Sequence, residues 1–227
     1  MLFRSRPVSV RLPRCLLFDM DGTLLDSLPG IEYSVKAAFD AAGLPGRTFG
    51  LRELIGPPIR VILSHAAETD DSALLDTLER HFRASYDNEG WRQSAFFPGV
   101  LEVLQTMKKS GHRLFVVTNK PRHISTMALE AEGAAFLFER IYTRDSKVPP
   151  YVSKADMLHA LLTDQHLSPR DCVMVGDTME DAGAAAMHGI NFIFMAHGYG
   201  EVSPAHPVMF KLGSFSEFMP FLAVENA

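Results

Sequence analysis

Two cysteines in 227 residues are too few for a dense disulfide framework, and neither Cys15 nor Cys172 stands in a paired metal spacing. Each lies in a short apolar run, so buried, reduced thiols are expected. Long hydrophobic runs are missing as well. No stretch approaches the roughly 18 consecutive apolar residues of a membrane span. The opening MLFRSRPVSVRLPR runs into DMDG without a small-residue cleavage pattern, so no signal peptide is expected and the expected location is cytoplasmic. Positive charge is scarce: 22 Lys and Arg face 27 Asp and Glu, a formal net charge of -5. That leaves no broad basic field for a nucleic-acid backbone, and a small diffusible substrate fits better. No repeat or low-complexity tract is present, and with 47% apolar and 22% charged residues disorder is not the default.

What the chain does contain is alternation. Short apolar runs ending in polar or Gly-containing turns occur at Cys15 to Gly22, Arg113 to Asn119, Asp171 to Asp177 and Asn191 to Ala196. They read as buried strands. Helical patterns fall between them, at residues 98 to 110, 121 to 132, 153 to 163 and 179 to 188. In the first, Val100, Val103, Leu104 and Met107 form one face, Pro98 stands at a first helical position, and Gly111 follows the end. Alternating strand and helix implies an α/β fold with a parallel sheet covered on both faces. Residues 27–96 break the rhythm, reading as several helices with no strong strand. They are expected to form an inserted helical cap domain, with residues 1–26 and 97–227 as the catalytic core and the two crossings as hinges.

Four places carry chemistry. Asp19 and Asp21 end the first strand two residues apart, so their carboxylates face one site while Met20 faces away. Gly22 allows the tight turn and Thr23 adds a hydroxyl. Asp177 and Asp181 follow the third run at an i, i+4 spacing that lets them share a face; capping and dipole compensation are the plainer explanation of such acids. Ligands in such folds bind beyond the carboxyl ends of strands, where Asp19 and Asp21 also end. Thr118 and Asn119 end the second strand before Pro121, an arrangement suited either to an anion or to capping alone. Lys154 follows Ser153, which with Asp156 resembles a capping box that aims the lysine at the strand ends. Clustered carboxylates repel by about 4 kcal/mol per pair at 4 Å and an effective dielectric of 20, which calls for a hard divalent ion. Oxygen ligands beside a phosphate favour Mg2+ over zinc.

FDMDGTLLDS, VVTNKP, the Lys154 region and GDTMED occur in the order and spacing of the haloacid dehalogenase superfamily, which the chain resembles over nearly its whole length. IGPPIR and FFPGV further resemble the phosphoglycolate phosphatase-like branch with a helical cap. The resemblance implies a Rossmann-like three-layer core with a parallel sheet plus an inserted α-helical cap. It implies a phosphatase in which Asp19 is the nucleophile that becomes an aspartyl-phosphate, and Asp21 the acid that protonates the leaving oxygen and later activates water. Mg2+ would be held by Asp19, the backbone carbonyl of Asp21 and Asp177, with Asp181 orienting its water shell. Thr118 and Asn119, with Gly22 and Thr23 nearby, would bind the phosphoryl group, and Lys154 would offset charge on it and on Asp19. Ala155 departs from the Pro that many members carry after that lysine.

The expected partner is a small phosphorylated metabolite, with phosphoglycolate foremost. A 5'-nucleotidase or sugar-phosphate phosphatase is the alternative, followed by a beta-phosphoglucomutase-like phosphomutase or a non-catalytic binding module. A monomer or homodimer is expected. Arg60, after Pro57 and Pro58, either binds a second anionic group such as a carboxylate or is exposed at a helix that the prolines merely start.

Overall fold

The computed structural model describes residues 11–45 and 50–223; the first ten residues of the opening segment and the outermost ends of the expected domain ranges lie outside them. In chain order the elements are β1 (Cys15–Phe18), β2 (Leu25–Asp26), α1 (Leu28–Ala41), α2 (Ile59–Ala67), α3 (Ser72–Tyr86), β3 (Ala95–Phe96), α4 (Val100–Lys109), β4 (Arg113–Thr118), α5 (Arg122–Ala131) and β5 (Arg140–Thr143). There follow α6 (Lys154–Asp164), β6 (Cys172–Gly176), α7 (Met179–Met187), β7 (Asn191–Met195), β8 (Phe210–Leu212) and α8 (Met219–Ala223).

Six strands pair in the order β5-β4-β1-β6-β7-β8, every pair parallel. β1 lies at the centre, with Leu17 opposite Phe115 on one side and Met174 on the other. Its side chains alternate between two apolar layers. Leu16 and Phe18 join the buried faces of α4 and α5, while Cys15 and Leu17 join those of α6 and α7. The two thiols are free and buried side by side across β1 and β6. Each fully buried Leu, Val or Phe contributes about 1.5–3 kcal/mol, so β1, with Leu16, Leu17 and Phe18 all buried, resists displacement and makes its end a rigid platform.

The four expected strands and four expected helices all form, and the apolar face of α4 is Val100, Val103, Leu104 and Met107. Pro98 is not the first helical residue: α4 starts at Val100 behind Gly99, whose φ of 82° only glycine adopts readily. β5 and β8 arise where no strand was expected. Both are sheet edges, where a short, partly exposed run such as RIYT suffices.

The chain leaves β1 through β2, runs through α1, α2 and α3, and returns through β3. β2 and β3 pair antiparallel, Leu25 with Phe96 and Asp26 with Ala95, so both crossings are tied into one two-stranded ribbon. α1 and α2 pack against α3 through Ile31, Val35, Leu63, Leu78 and Phe82, all buried.

Candidate active site

Three strand ends and two helix starts converge. Asp19 follows β1, its N–H donating to the Val175 carbonyl at 3.0 Å and so continuing the ladder. Thr118 ends β4 and Asp177 follows β6, on opposite sides of β1. The strand order turns about β1, the place where open α/β sheets leave a crevice. Lys154 opens α6, whose start is a complete capping box between Ser153 and Asp156. Asp181 lies in the first turn of α7 and completes a second box with Thr178. Its carboxylate therefore both caps a helix and faces the site.

Asp19, Asp177 and Asp181 each offer one oxygen, and these lie within 4.8 Å of one another, all three residues being buried. The buried Lys154 ammonium is 3.0 Å from Asp19 Oδ1 and 2.6 Å from Asp181 Oδ1. Two of the three carboxylates, Asp19 and Asp181, thus share the Lys154 ammonium. Burial, and then the charges of Asp181 and Asp177, hold the Asp19 carboxyl well above its usual range against the pull of Lys154. Burial and Asp181 push Asp177 up to about 6, although N–H and O–H donors oppose this. Burial disfavours the Lys154 ammonium, but Asp181 and Asp19 outweigh it and hold its pKa above the ordinary lysine value. An all-oxygen donor set with surplus negative charge fits a hard divalent cation.

Asp177 is held from three directions. Thr23 Oγ1 donates to its Oδ1 at 3.0 Å, and the Tyr199 and Gly200 N–H groups donate to its Oδ2 at 2.8 and 3.3 Å. Gly22, at φ 81°, has no room for a side chain, because a Cβ there would lie 2.3 Å from Asp177 Oδ2. Gly22 and Thr23 thus pack against the Asp177 carboxylate and are absent from the lining of the cavity beside Asp19 and Asp21. The Tyr199 hydroxyl accepts from the N–H groups of Ser27 and Leu28 at the start of α1 and donates to Asp26. It satisfies helix-end donors that no side-chain cap of Ser27 reaches.

Asp21 stands apart from the trio, but Asp19 and Asp21 line one cavity with Thr118, Asn119, Lys120, Ile59, Phe82, Arg83 and Tyr86. Met20 turns away into the core. Lys120 Nζ is 2.7 Å from Asp21 Oδ1 and 2.6 Å from the Tyr86 hydroxyl. Asn119 Nδ2 donates to the Gly56 carbonyl and to Glu180, which leaves its backbone rather than its amide to meet an anion. Arg60 is not brought to the cavity: Asp76, Glu79 and Ser72 engage its guanidinium on the outer side of α2 and α3. Arg83 is the arginine that lines the cavity.

Lys120, Tyr86, Arg83 and Tyr199 are the site residues that sequence reasoning missed. Lone lysines and arginines ordinarily read as surface charge. The available signal was position: Lys120 directly follows Thr118 and Asn119, and Tyr86 and Arg83 lie in the last turn of an amphipathic helix, Tyr86 on its buried face.

The family described as haloacid dehalogenase-like hydrolase matches residues 16–195. A tyrosine-protein kinase, PtkA, of Mycobacterium tuberculosis is 32% identical over 191 residues, covering 83% of this chain and 64% of that protein. The chain therefore spans less than two thirds of that relative's length. A phosphoglycolate phosphatase of Vibrio vulnificus is 30% identical over 199 residues, 84% of this chain and 87% of that one. Among solved structures, a haloacid dehalogenase-like family hydrolase from Streptococcus pneumoniae superposes with a TM-score of 0.82 at 23% identity, covering 92% of this chain and 98% of that one. This last is a likeness of fold.

Proposed function

The chain belongs to the haloacid dehalogenase-like hydrolase family, and on that premise we propose that it is a phosphatase acting on small phosphate monoesters, with phosphoglycolate the leading substrate. The observation that carries the reading is the meeting of Asp19, Asp177 and Asp181 with one buried ammonium at the carboxyl end of the sheet. Such a cluster suits Mg2+, which Asp19, Asp177 and the backbone carbonyl of Asp21 would hold while Asp181 orients its water shell. When bound, the ion supplies the positive charge that lets an anionic nucleophile approach an anionic phosphate.

Asp19 attacks phosphorus, and the bond to the alcohol oxygen breaks as Asp21 hands that oxygen a proton. Asp21 then takes a proton from the water that attacks the phosphoryl-Asp19, and inorganic phosphate leaves. Lys154 fixes Asp19 by one oxygen and offsets its charge. Thr118 and the backbone of Asn119 receive phosphoryl oxygens. Residues 27–96 act as a cap over the core formed by 1–26 and 97–227, hinged where β2 and β3 mark the crossings. The cap's Arg83 faces the carboxylate of phosphoglycolate, a role its place at the cavity supports and that of Arg60 does not.

The test is phosphate release from phosphoglycolate, nucleoside monophosphates and p-nitrophenyl phosphate, with magnesium and with a chelator. Release is expected with magnesium, and the chelator and Asp19→Asn each abolish it while circular dichroism stays unchanged. No release from any ester would overturn the reading. Phosphotyrosine formation on a protein acceptor, the activity in the mycobacterial relative's name, would replace it.

A further inference from the structure

Lys120 is a buried charge that takes no part in the attack by Asp19 or in the proton transfers of Asp21. It is 5% exposed, and lysines are almost never fully buried unless paired. Its partners come from different parts of the fold. Asp21 Oδ1, at 2.7 Å, belongs to the turn after β1, and the Tyr86 hydroxyl, at 2.6 Å, belongs to α3. The ammonium also lies 4.9 Å from the centre of the Tyr86 ring, which is itself stacked on Phe82. The Lys120 backbone is fixed too, its N–H donating to Thr118 Oγ1 at 3.2 Å. Among the described residues, Asp21 Oδ1 accepts from Lys120 and Oδ2 accepts no side-chain or backbone hydrogen bond. A carboxyl pinned through one oxygen keeps the other oriented at the wall of the cavity it lines.

We propose that Lys120 is a positioning residue for Asp21, and that Tyr86 makes this positioning depend on α3 being docked against the core. The inference rests on the phosphatase reading, in which Asp21 serves the leaving oxygen. Without the pin a short carboxylate side chain samples other rotamers, and displacement by about 1 Å costs on the order of 10²-fold in rate. The cost falls on the step that needs the proton. In that step the bond from phosphorus to the alcohol oxygen breaks, its electron pair goes to that oxygen, and the Asp21 proton follows it. An alkoxide leaving group requires this proton, whereas p-nitrophenolate departs without it.

The experiment compares kcat and KM for phosphoglycolate and p-nitrophenyl phosphate in wild type, Lys120→Met, Lys120→Arg and Tyr86→Phe. Lys120→Met is expected to lower kcat on phosphoglycolate by about 10²-fold and on p-nitrophenyl phosphate by less than roughly tenfold, with little change in KM. Lys120→Arg recovers part of the loss, and Tyr86→Phe moves both rates in the same direction but less. Equal losses on the two esters, or a raised KM at unchanged kcat, would overturn the assignment in an enzyme that still works. No release by wild type from either ester overturns the phosphatase reading and this role with it. Melting of Lys120→Met, Asp21→Asn and the double variant keeps the pairing itself open to refutation. The double variant should lose less than the sum of the single shifts, and additive shifts would refute the pair whatever the activity.

Discussion

Arg83 and Arg60 both belong to helices beside the cavity, yet their surroundings differ. Arg60 is spoken for by Asp76 and Glu79 on the outer surface, and Arg83 lines the cavity that holds Asp19 and Asp21. Loss of a hydrogen bond to a charged group costs about 1.5–3 kcal/mol, so Arg83→Met should raise KM for phosphoglycolate by roughly tenfold or more. KM for p-nitrophenyl phosphate, which has no carboxylate, should hardly move, and Arg60→Met should leave both substrates near wild type. Steady-state kinetics on the two variants checks this. At this scale the two-residue spacing of Asp19 and Asp21 was legible, since both line one cavity, whereas the i, i+4 helical face expected for Asp177 and Asp181 does not form, because α7 is capped at Thr178 and Asp177 precedes it. Lys120 was not legible, because its partners lie 99 and 34 residues away and nothing local marks it as buried.

At the scale of elements, the start of α6 joins stability to chemistry. Ser153 Oγ accepts from the Asp156 N–H at 3.1 Å, and Asp156 Oδ2 accepts from the Ser153 N–H at 3.0 Å. The next residue is Lys154, whose ammonium bridges Asp19 and Asp181. Ser153→Ala should therefore cost about 1 kcal/mol in thermal or urea unfolding, the usual worth of a cap. It should also lower kcat, because a frayed helix start releases Lys154 from its aim. Unchanged kcat at the expected loss of stability would separate the cap from the site. The box was readable because its donors and acceptors are three residues apart. The edge strands β5 and β8 were not, since their strand conformation comes from a neighbour's backbone rather than from an apolar run of their own.

Across the whole molecule, the 197–200 segment joins the core to the beginning of the helical region. Tyr199 ties Asp177 to the start of α1, Arg52 donates to the His197 and Gly198 carbonyls, and His197 Nε2 is 3.1 Å from the Thr23 carbonyl. Burial, helped by the charge of Arg52 and opposed by backbone hydrogen bonds, holds His197 below its usual pKa, which is about 6.5 for an unperturbed imidazole. The folded state thus resists protonation while the unfolded chain accepts it, so this residue's contribution is intact above about 6.5 and declines as pH falls below it. His197→Gln removes the titration. The melting-temperature gap between wild type and variant should narrow as pH is lowered from about 7.5 to about 5.5, and a widening gap would contradict the assignment of this slope to His197.

The sequence by itself determined the repeating strand and helix units, the helix caps and the positions of the acids, because each depends on residues within a turn or a strand of one another. Only the tertiary structure decided that Asp177 would be held by Thr23 from 154 residues away, that Arg83 rather than Arg60 would meet the cavity, and that Lys120 would be buried between Asp21 and Tyr86. The first outcome follows from the pairing of β1 with β6, and the other two from how α2 and α3 pack beside the strand ends. Packing of that kind is set by the shapes of many side chains at once, and no local pattern encodes it.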